Sequence, residues 1–286
     1  MKNYIVITPA YNEEDNIELT IKSFLKQTIL PLQWIIVNDG STDNTGSIIN
    51  SYADKYHWIT LLNRENGKWP FGTHAVKNFE IGLKAIKHTN YDFLVKFDAD
   101  IDIDREDYFE FQLNQFKKNI KLGISSGITY YIDNLNNKKI VWHPSWRTTG
   151  AMKMYRRECY ENMGGLVPIY GWDGIDDLKA RFNGWETTTF YELEVNHLEK
   201  KRDFKRKLDP KFSLKQGKSF YVRGYPLFFI LLKTLMFCVK IKPKQAFYFL
   251  KGYINSHFNN VEQCVSESEK KFIRKFILKR ALGLIK

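Results

Sequence analysis

The chain predicts an α/β protein with a mostly parallel central sheet, helices on both sheet faces, and a mainly helical, basic C-terminal extension. Three observations predict it. Strand-like and helix-like segments alternate through the first hundred residues. The strand-like segments are continuously apolar, as strands buried on both faces must be. Positive charge is concentrated behind residue 196, where 22 Lys/Arg meet 6 Asp/Glu, against 22 and 26 in the residues before it.

Each element has its own signal. "YIVIT" is β-branched and aromatic and stops at Pro9, which marks a buried strand. Ile17, Ile21, Phe24 and Leu25 recur at helical spacing behind it. "WIIVND" is a second strand, and "GSTDNT" is rich in capping residues ahead of the helix "SIINSYADKY". "WITLL", the helix "VKNFEIGLKAIK" and the strand "DFLVKF" complete the alternating series. The second half is less regular: "KLGISSGITYYI" reads as a strand pair, "RRECYENMGG" as a short helix ended by Gly164. "DGIDDLKARFNG" is a helix stopped at Gly184, followed by the strand "WETTTFYEL".

With 286 residues, 43% of them hydrophobic and 15% aromatic, the chain can bury a sizeable core and is not a disordered polymer. Cys159, Cys238 and Cys264 lie far apart, so neither a disulfide framework nor a zinc site is indicated, and a reducing compartment is expected. "MKNYIVITPAYNEE" has too short an apolar run for a signal peptide. The charge asymmetry points to a polyanion as partner, either a nucleic acid or an anionic membrane.

In an open parallel sheet, ligands bind outside the carboxyl ends of the strands. Here those ends carry "TPAYNEEDN", "NDGSTD", "NRENGKW" and "DAD". The first loop has no glycine, which argues against a dinucleotide fingerprint and a phosphate loop. It offers Tyr11 for stacking and Glu13 as an acceptor, and Asp39 on the next loop can accept from a base N–H. The competing reading of "NDGSTD" is a turn with a helix cap. Asp98 and Asp100 share a face of an extended backbone, and two such carboxylates suit Mg²⁺ or Mn²⁺. Asp102 and Asp104 read as solvated residues leading into the helix after Arg105.

"TPAYNEEDNI", "IIVNDGSTDNT", "REN-GK", "FDAD" and "GWDGIDDLKARFNGW" follow one another in the order and spacing of the inverting family-2 glycosyltransferases. The chain resembles that family over about residues 3–200. The resemblance implies the GT-A fold over residues 1–200, with a nucleotide-sugar half (1–104) and an acceptor half (105–200), and a helical tail over 201–286. It implies that Pro9, Tyr11, Glu13, Asp39, Lys68 and Asp98 hold a nucleotide-sugar, a UDP-sugar being favoured. It places Asp100 on the divalent cation, with His197 approaching the metal or diphosphate and Arg202 adding a phosphate contact. The catalytic base it implies is Asp177, with Asp176 as second choice, while Asp173 and Trp172 shape the acceptor pocket. Simple complementarity between Asp176–Asp177 and the helix dipole is the competing explanation of that pair. Arg156 and Arg157 meet an anionic group or are solvated charges at a helix start.

The tail ends in "KKFIRKFILKRALGLIK", with Ile273, Phe276, Ile277, Ala281 and Leu284 on one helical face and seven basic residues. That pattern predicts a helix lying on anionic lipid; the alternative is a helix packed on its own domain. "YPLFFILLKTLMFCVKI" is interrupted by Lys233 and Lys240 and falls short of the ~20 apolar residues that span a bilayer. The expected protein is therefore a non-processive hexosyltransferase of cell-surface glycan or glycoconjugate synthesis. It is expected in the cytoplasm on the inner face of the membrane, with a glycan or lipid-linked acceptor and no nucleic-acid partner. A polyprenyl-phosphate sugar synthase and a basic nucleotide- or nucleic-acid-binding module are the rivals.

Overall fold

The computed structural model describes residues 3–65, 67–70, 72–198, 209–240 and 242–284. The strands are β1 (Tyr4–Ala10), β2 (Gln33–Asp39), β3 (Ile59–Arg64), β4 (Phe93–Phe97), β5 (Ile101–Ile103), β6 (Leu122–Ile132), β7 (Lys138–Ile140), β8 (Met152–Arg156) and β9 (Glu186–His197). They form one sheet in the order β3-β2-β1-β4-β8-β6-β9-β5, with β7 paired to β6. The body helices are α1 (Ile17–Leu25), α2 (Thr45–Ala53), α3 (His74–Lys84), α4 (Tyr108–Lys118), α5 (Arg157–Asn162) and α6 (Trp172–Phe182). The tail helices are α7 (Pro210–Val222), α8 (Leu227–Lys240), α9 (Pro243–Phe258) and α10 (Glu267–Ala281).

β1 to β4 pair in parallel, as their helix-separated, continuously apolar sequences require. Along β1, Tyr4 and Val6 enter the core cluster that also takes Ile17, Ile21 and Phe24 of α1 and Phe109 of α4. Ile5 and Ile7 enter the opposite cluster, beneath Val76 and Phe79 of α3 and Cys159 of α5. The two-residue alternation of a strand thus feeds two layers of helices.

The other half of the sheet mixes directions. β8 is antiparallel to both β4 and β6, and β5 is antiparallel to β9. The segment expected as a strand pair is a single strand, β6, with register shifts against β9 at Leu122/Ile124 and Ser126/Ile128. Gly123 and Gly127 sit at those shifts. A Cβ on Gly127 would lie 2.1 Å from the Leu193 carbonyl oxygen, so glycine permits the close approach that the bulge makes.

The tail shares a third core with the body. Ile175 and Leu178 of α6 pack with Trp146 and with Ile230, Phe249, Ile273, Phe276 and Ile277 of the tail. Within the tail, α7 and α9 touch backbone to backbone, since Cβ atoms on Gly217 and Gly252 would fall 1.9 and 2.1 Å from the Phe249 and Leu214 carbonyls. A Ser266–Glu269 capping box starts α10. The apolar face of α10 expected on lipid is instead largely buried: Ile273, Phe276 and Ile277 pack on the body, while Ala281 and Leu284 are exposed. Packing on its own domain is the reading that describes α10. The exposed apolar side chains cluster on α8, among them Leu231, Leu235 and Val239. Among the described residues, no helix is long and apolar enough to cross a membrane.

Candidate active site

Parallel pairing brings the carboxyl ends of β1, β2 and β4 side by side, and the loops behind β1 and β2 are tied together there. Asn12 Oδ1 accepts from Thr42 N at 2.9 Å, Glu13 N donates to Thr45 Oγ1 at 2.7 Å, and Glu14 accepts from Asn44 N at 3.0 Å. Pro9 is half-buried, Tyr11 exposed and Glu13 half-buried, with a Glu13 carboxylate oxygen accepting from Asn16 Nδ2.

Asp39 ends β2 almost fully buried. It accepts from Arg64 Nη1, from Asn78 Nδ2 at 2.8 Å and from Gly67 N at 3.3 Å, and it pairs with His74 Nδ1 at 3.2 Å. Arg64 lies 4.3 Å over the Trp69 ring. Lys68, in the same loop, is exposed. Arg64, His74 and Asn78 are the residues at this end that sequence reasoning missed. The signal was their position, one strand end and one helix start beyond Asp39.

At the end of β4, Asp98 accepts from the buried Lys96 ammonium, which also donates to the Gly150 carbonyl at 3.0 Å. Burial raises the Asp98 carboxyl, Lys96 opposes that, and the neighbouring Asp100 adds to it. Antiparallel pairing of β5 with β9 sets Ile101 opposite His197, which brings the His197 ring to Asp100, Nε2 to Oδ2 at 3.0 Å. Asp104 is exposed, as expected, and also accepts from the Tyr130 hydroxyl at 2.8 Å. Asp100 and His197 form an oxygen–nitrogen donor pair that fits Mn²⁺ or Mg²⁺, with the remaining positions open to phosphate and water. Among the described residues, no three His, Cys, Asp or Glu side chains converge as a preformed metal set. Arg202 lies outside the described residues.

α6 brings three further carboxylates, in two environments. Asp176 and Asp177 are buried. Lys153 Nζ donates to both Asp176 oxygens at 2.8 Å, and the Tyr155 hydroxyl donates to Asp176 at 2.7 Å. Asp177 accepts from Thr148 N at 2.9 Å and Thr148 Oγ1 at 2.6 Å, one bond to each oxygen. Desolvation, only partly opposed by Lys153, pushes the Asp177 carboxyl up to about 7. Lys153 stays charged because the carboxylates of Asp176, Asp177 and Asp173 outweigh its own desolvation.

Asp173, in the first turn of α6, is different. It packs against Gly150, beside the Lys96–Asp98 pair, and its carboxylate lies 3.6 Å from Arg147 Nη2. Its side chain keeps 34% of its surface open, onto a cavity of about 1100 Å³ between the body and the tail. Burial alone would raise its pKa, but Arg147, Lys153, Arg223 and Lys96 together hold it below the ordinary carboxylate value. Arg156 and Arg157 are used by the fold: Arg156 donates to the Leu122 and Phe116 carbonyls, and Arg157 to Glu161 and the Thr89 carbonyl.

A parallel half-sheet ending in an acidic pair, faced by a helix-borne carboxylate, is the layout of a GT-A sugar transferase. Two solved structures share the fold. The mannosyltransferase PcManGT from Pyrobaculum calidifontis, in complex with GDP-Man and Mn²⁺, matches with a TM-score of 0.58 at 15% identity, covering 99% of this chain and 81% of that one. S. aureus TarS 1–349 in complex with UDP-GlcNAc matches with a TM-score of 0.58 at 16% identity, covering 95% of this chain and 78% of that one. Residues 5–172 match the model of glycosyl transferase family 2, and the chain belongs to that family. It is also similar to the 4,4'-diaponeurosporenoate glycosyltransferase of Staphylococcus aureus, 30% identical over 131 residues. That match spans 46% of this chain and 32% of the relative, so the chain corresponds to about a third of that protein.

Proposed function

We propose that this glycosyltransferase moves a sugar from a nucleotide-diphospho-sugar to an acceptor hydroxyl by a metal-dependent, inverting, non-processive displacement. The observation that carries the reading is the gathering of Asp98, Asp100 and His197 at one end of the sheet with Asp173 beside them. The GDP-Man and UDP-GlcNAc held by the two structural neighbours support the donor class. UDP is the favoured nucleotide.

The tied loops behind β1 and β2 present Pro9, Tyr11 and Glu13 to the nucleoside. Asp39, held by Arg64 and Asn78, forms the floor beneath it, and Lys68 reaches in from the rim. Asp98 faces the ribose. Asp100 and His197 hold the cation, which when bound stabilises charge on the leaving diphosphate. Asp173 accepts the proton of the attacking hydroxyl while the acceptor oxygen bonds to the anomeric carbon and the bond to the diphosphate breaks.

The base is here assigned to Asp173 rather than to Asp177 or Asp176. A general base must come within hydrogen-bond reach of the hydroxyl. Both Asp177 oxygens are occupied by Thr148 and both Asp176 oxygens by Lys153, whereas Asp173 opens onto the cavity. Lys153 and Tyr155, by locking Asp176, hold α6 at the register that points Asp173 outward. In this reading residues 1–200 form the transferase unit and 201–286 complete its acceptor side at the inner face of the membrane.

Calorimetry of UDP and GDP with Mn²⁺ tests the donor half. Asp100→Ala is expected to abolish the metal-dependent part of the affinity, since it removes a carboxylate from a site with few protein ligands. Unchanged affinity would leave the acidic pair without this role.

A further inference from the structure

Helix α8 has two sides. Phe229, Lys233 and Phe237 line the cavity onto which Asp173 opens. Phe228, Leu231, Leu232, Leu235 and Val239 recur at helical spacing on the other side and stand exposed, Leu235 at 64% and Val239 at 86%. At 1.5 Å per residue this stripe runs about 17 Å along the helix. The polar side chains of α8 add nothing to it. Lys233 lies 5.2 Å from each of the Phe220 and Phe237 rings, and the Thr234 hydroxyl donates to the Ile230 carbonyl at 2.8 Å. Single exposed apolar residues are ordinary, but a continuous stripe of large ones marks a contact surface.

The charge around the stripe says what it meets. Residues 210–261, which form α7, α8 and α9, contain nine Lys/Arg and no Asp/Glu. Lys242 and Lys244, both exposed, follow directly on the Val239 end of the stripe, with the 62% exposed Phe247 just beyond. A second copy would bring the same acid-free segment, so cation would face cation across a two-fold contact. A protein partner is met by hydrogen-bonding groups interleaved with apolar ones, and this stripe has none. An anionic lipid surface takes apolar side chains between its head groups and attracts the cations beside them.

We propose that α8 is the face by which the chain docks on an anionic membrane. Phe228, Leu231, Leu232, Leu235 and Val239 enter the head-group layer, and Lys242 and Lys244 meet the lipid charge. This rests on the reading above only in setting the tail at a membrane. Helix α10, which carries the basic and apolar pattern in sequence, holds the tail to the body instead, through Ile273, Phe276 and Ile277. Docking by α8 sets the cavity behind it beside the membrane.

Co-sedimentation of the full chain with vesicles of phosphatidylcholine, and of phosphatidylcholine with phosphatidylglycerol, tests this. At low salt the anionic vesicles are expected to bind about tenfold more tightly or better, and high salt should erase most of that preference. Leu235→Gln combined with Val239→Gln should weaken binding by about tenfold to hundredfold. Leu278→Gln combined with Leu282→Gln, exposed residues at the end of α10, should stay within about twofold of the parent. Equal melting temperatures certify the fold. An unchanged α8 variant, or equal loss in the two variants, overturns the assignment to α8. A chain that sediments with neither vesicle overturns docking, and sedimentation equilibrium then tells a second copy from a stripe left open for a protein partner. Calorimetry of UDP with Mn²⁺ keeps the two readings apart. Nucleotide affinity without vesicle binding sinks docking alone, and vesicle binding without nucleotide affinity sinks the donor reading alone.

Discussion

Asp173 and Asp177 stand one helical turn apart on α6, yet they live under different physics. Asp177 is enclosed, bonded through both oxygens and pushed up to about 7 by desolvation. Asp173 is open to a cavity and held low by four surrounding cations, Arg147 first among them. On a helix, residues four apart share a face, so the sequence places both near β8. What separates them is depth. The turn that holds Asp173 rims the cavity, and the turn that holds Asp177 lies over Lys153. A carboxylate pair in a sequence can thus be the clamp that aims a third carboxylate.

The most direct way to break this comparison is to exchange the two losses. Asp173→Asn is expected to reduce transfer by ~10²–10⁴-fold, the range of a lost general base, with nucleotide affinity retained. Asp177→Asn should transfer at near the parent rate. Rates under saturating donor and acceptor, measured beside nucleotide calorimetry, check both. The reverse ranking would return the proton to the enclosed pair and make Asp173 a pocket residue.

A smaller effect, on stability rather than chemistry, is expected from the clamp itself. Lys153→Met leaves Asp176 and Asp177 buried without their shared cation, and breaking such a pair costs about 3–5 kcal/mol. Denaturant unfolding should show that loss as a lowered midpoint. Lys22→Met, which removes an exposed pair with Glu18, should lie within ~1 kcal/mol of the parent. Similar midpoints for the two variants would mean that the α6 carboxylates are not held by Lys153.

Much of this was legible in the chain. Continuous apolar runs such as "YIVIT" and "WIIVND" state that a strand is covered on both faces, and the parallel half-sheet follows from them. The acidic end of β4 was visible as residue types, but not its geometry: Asp98 and Asp100 lie in the turn between β4 and β5, not on one face of an extended strand. β6 was not legible: the segment read as a strand pair is one strand whose register against β9 shifts at Gly123 and Gly127, and a shift of register depends on the partner strand. Helix α10 was misread for a related reason: the apolar stripe of Ile273, Phe276 and Ile277 looks the same whether it meets lipid or Trp146. Arg147 and Arg223 were passed over because their meeting depends on the tail folding back over α6, which no local pattern encodes.

The smallest effect is also the most specific to Asp177. An unfolded aspartate titrates near 4, and the folded Asp177 carboxyl at about 7. Between those values the folded state holds a proton that the unfolded state has released. Stability therefore falls as pH rises from about 4 through about 7, and levels off above. Asp177→Asn removes the titrating group while keeping its shape, so its stability should vary less between pH 5 and pH 8, by a difference of about 2–3 kcal/mol. The same pair of proteins sharpens the catalytic comparison. Asp173 is ionised throughout this range, so it adds no acid limb to the transfer rate there. If the parent rate instead climbs through pH 7, and that climb disappears in Asp177→Asn, the titrating base is Asp177 and the assignment to Asp173 fails.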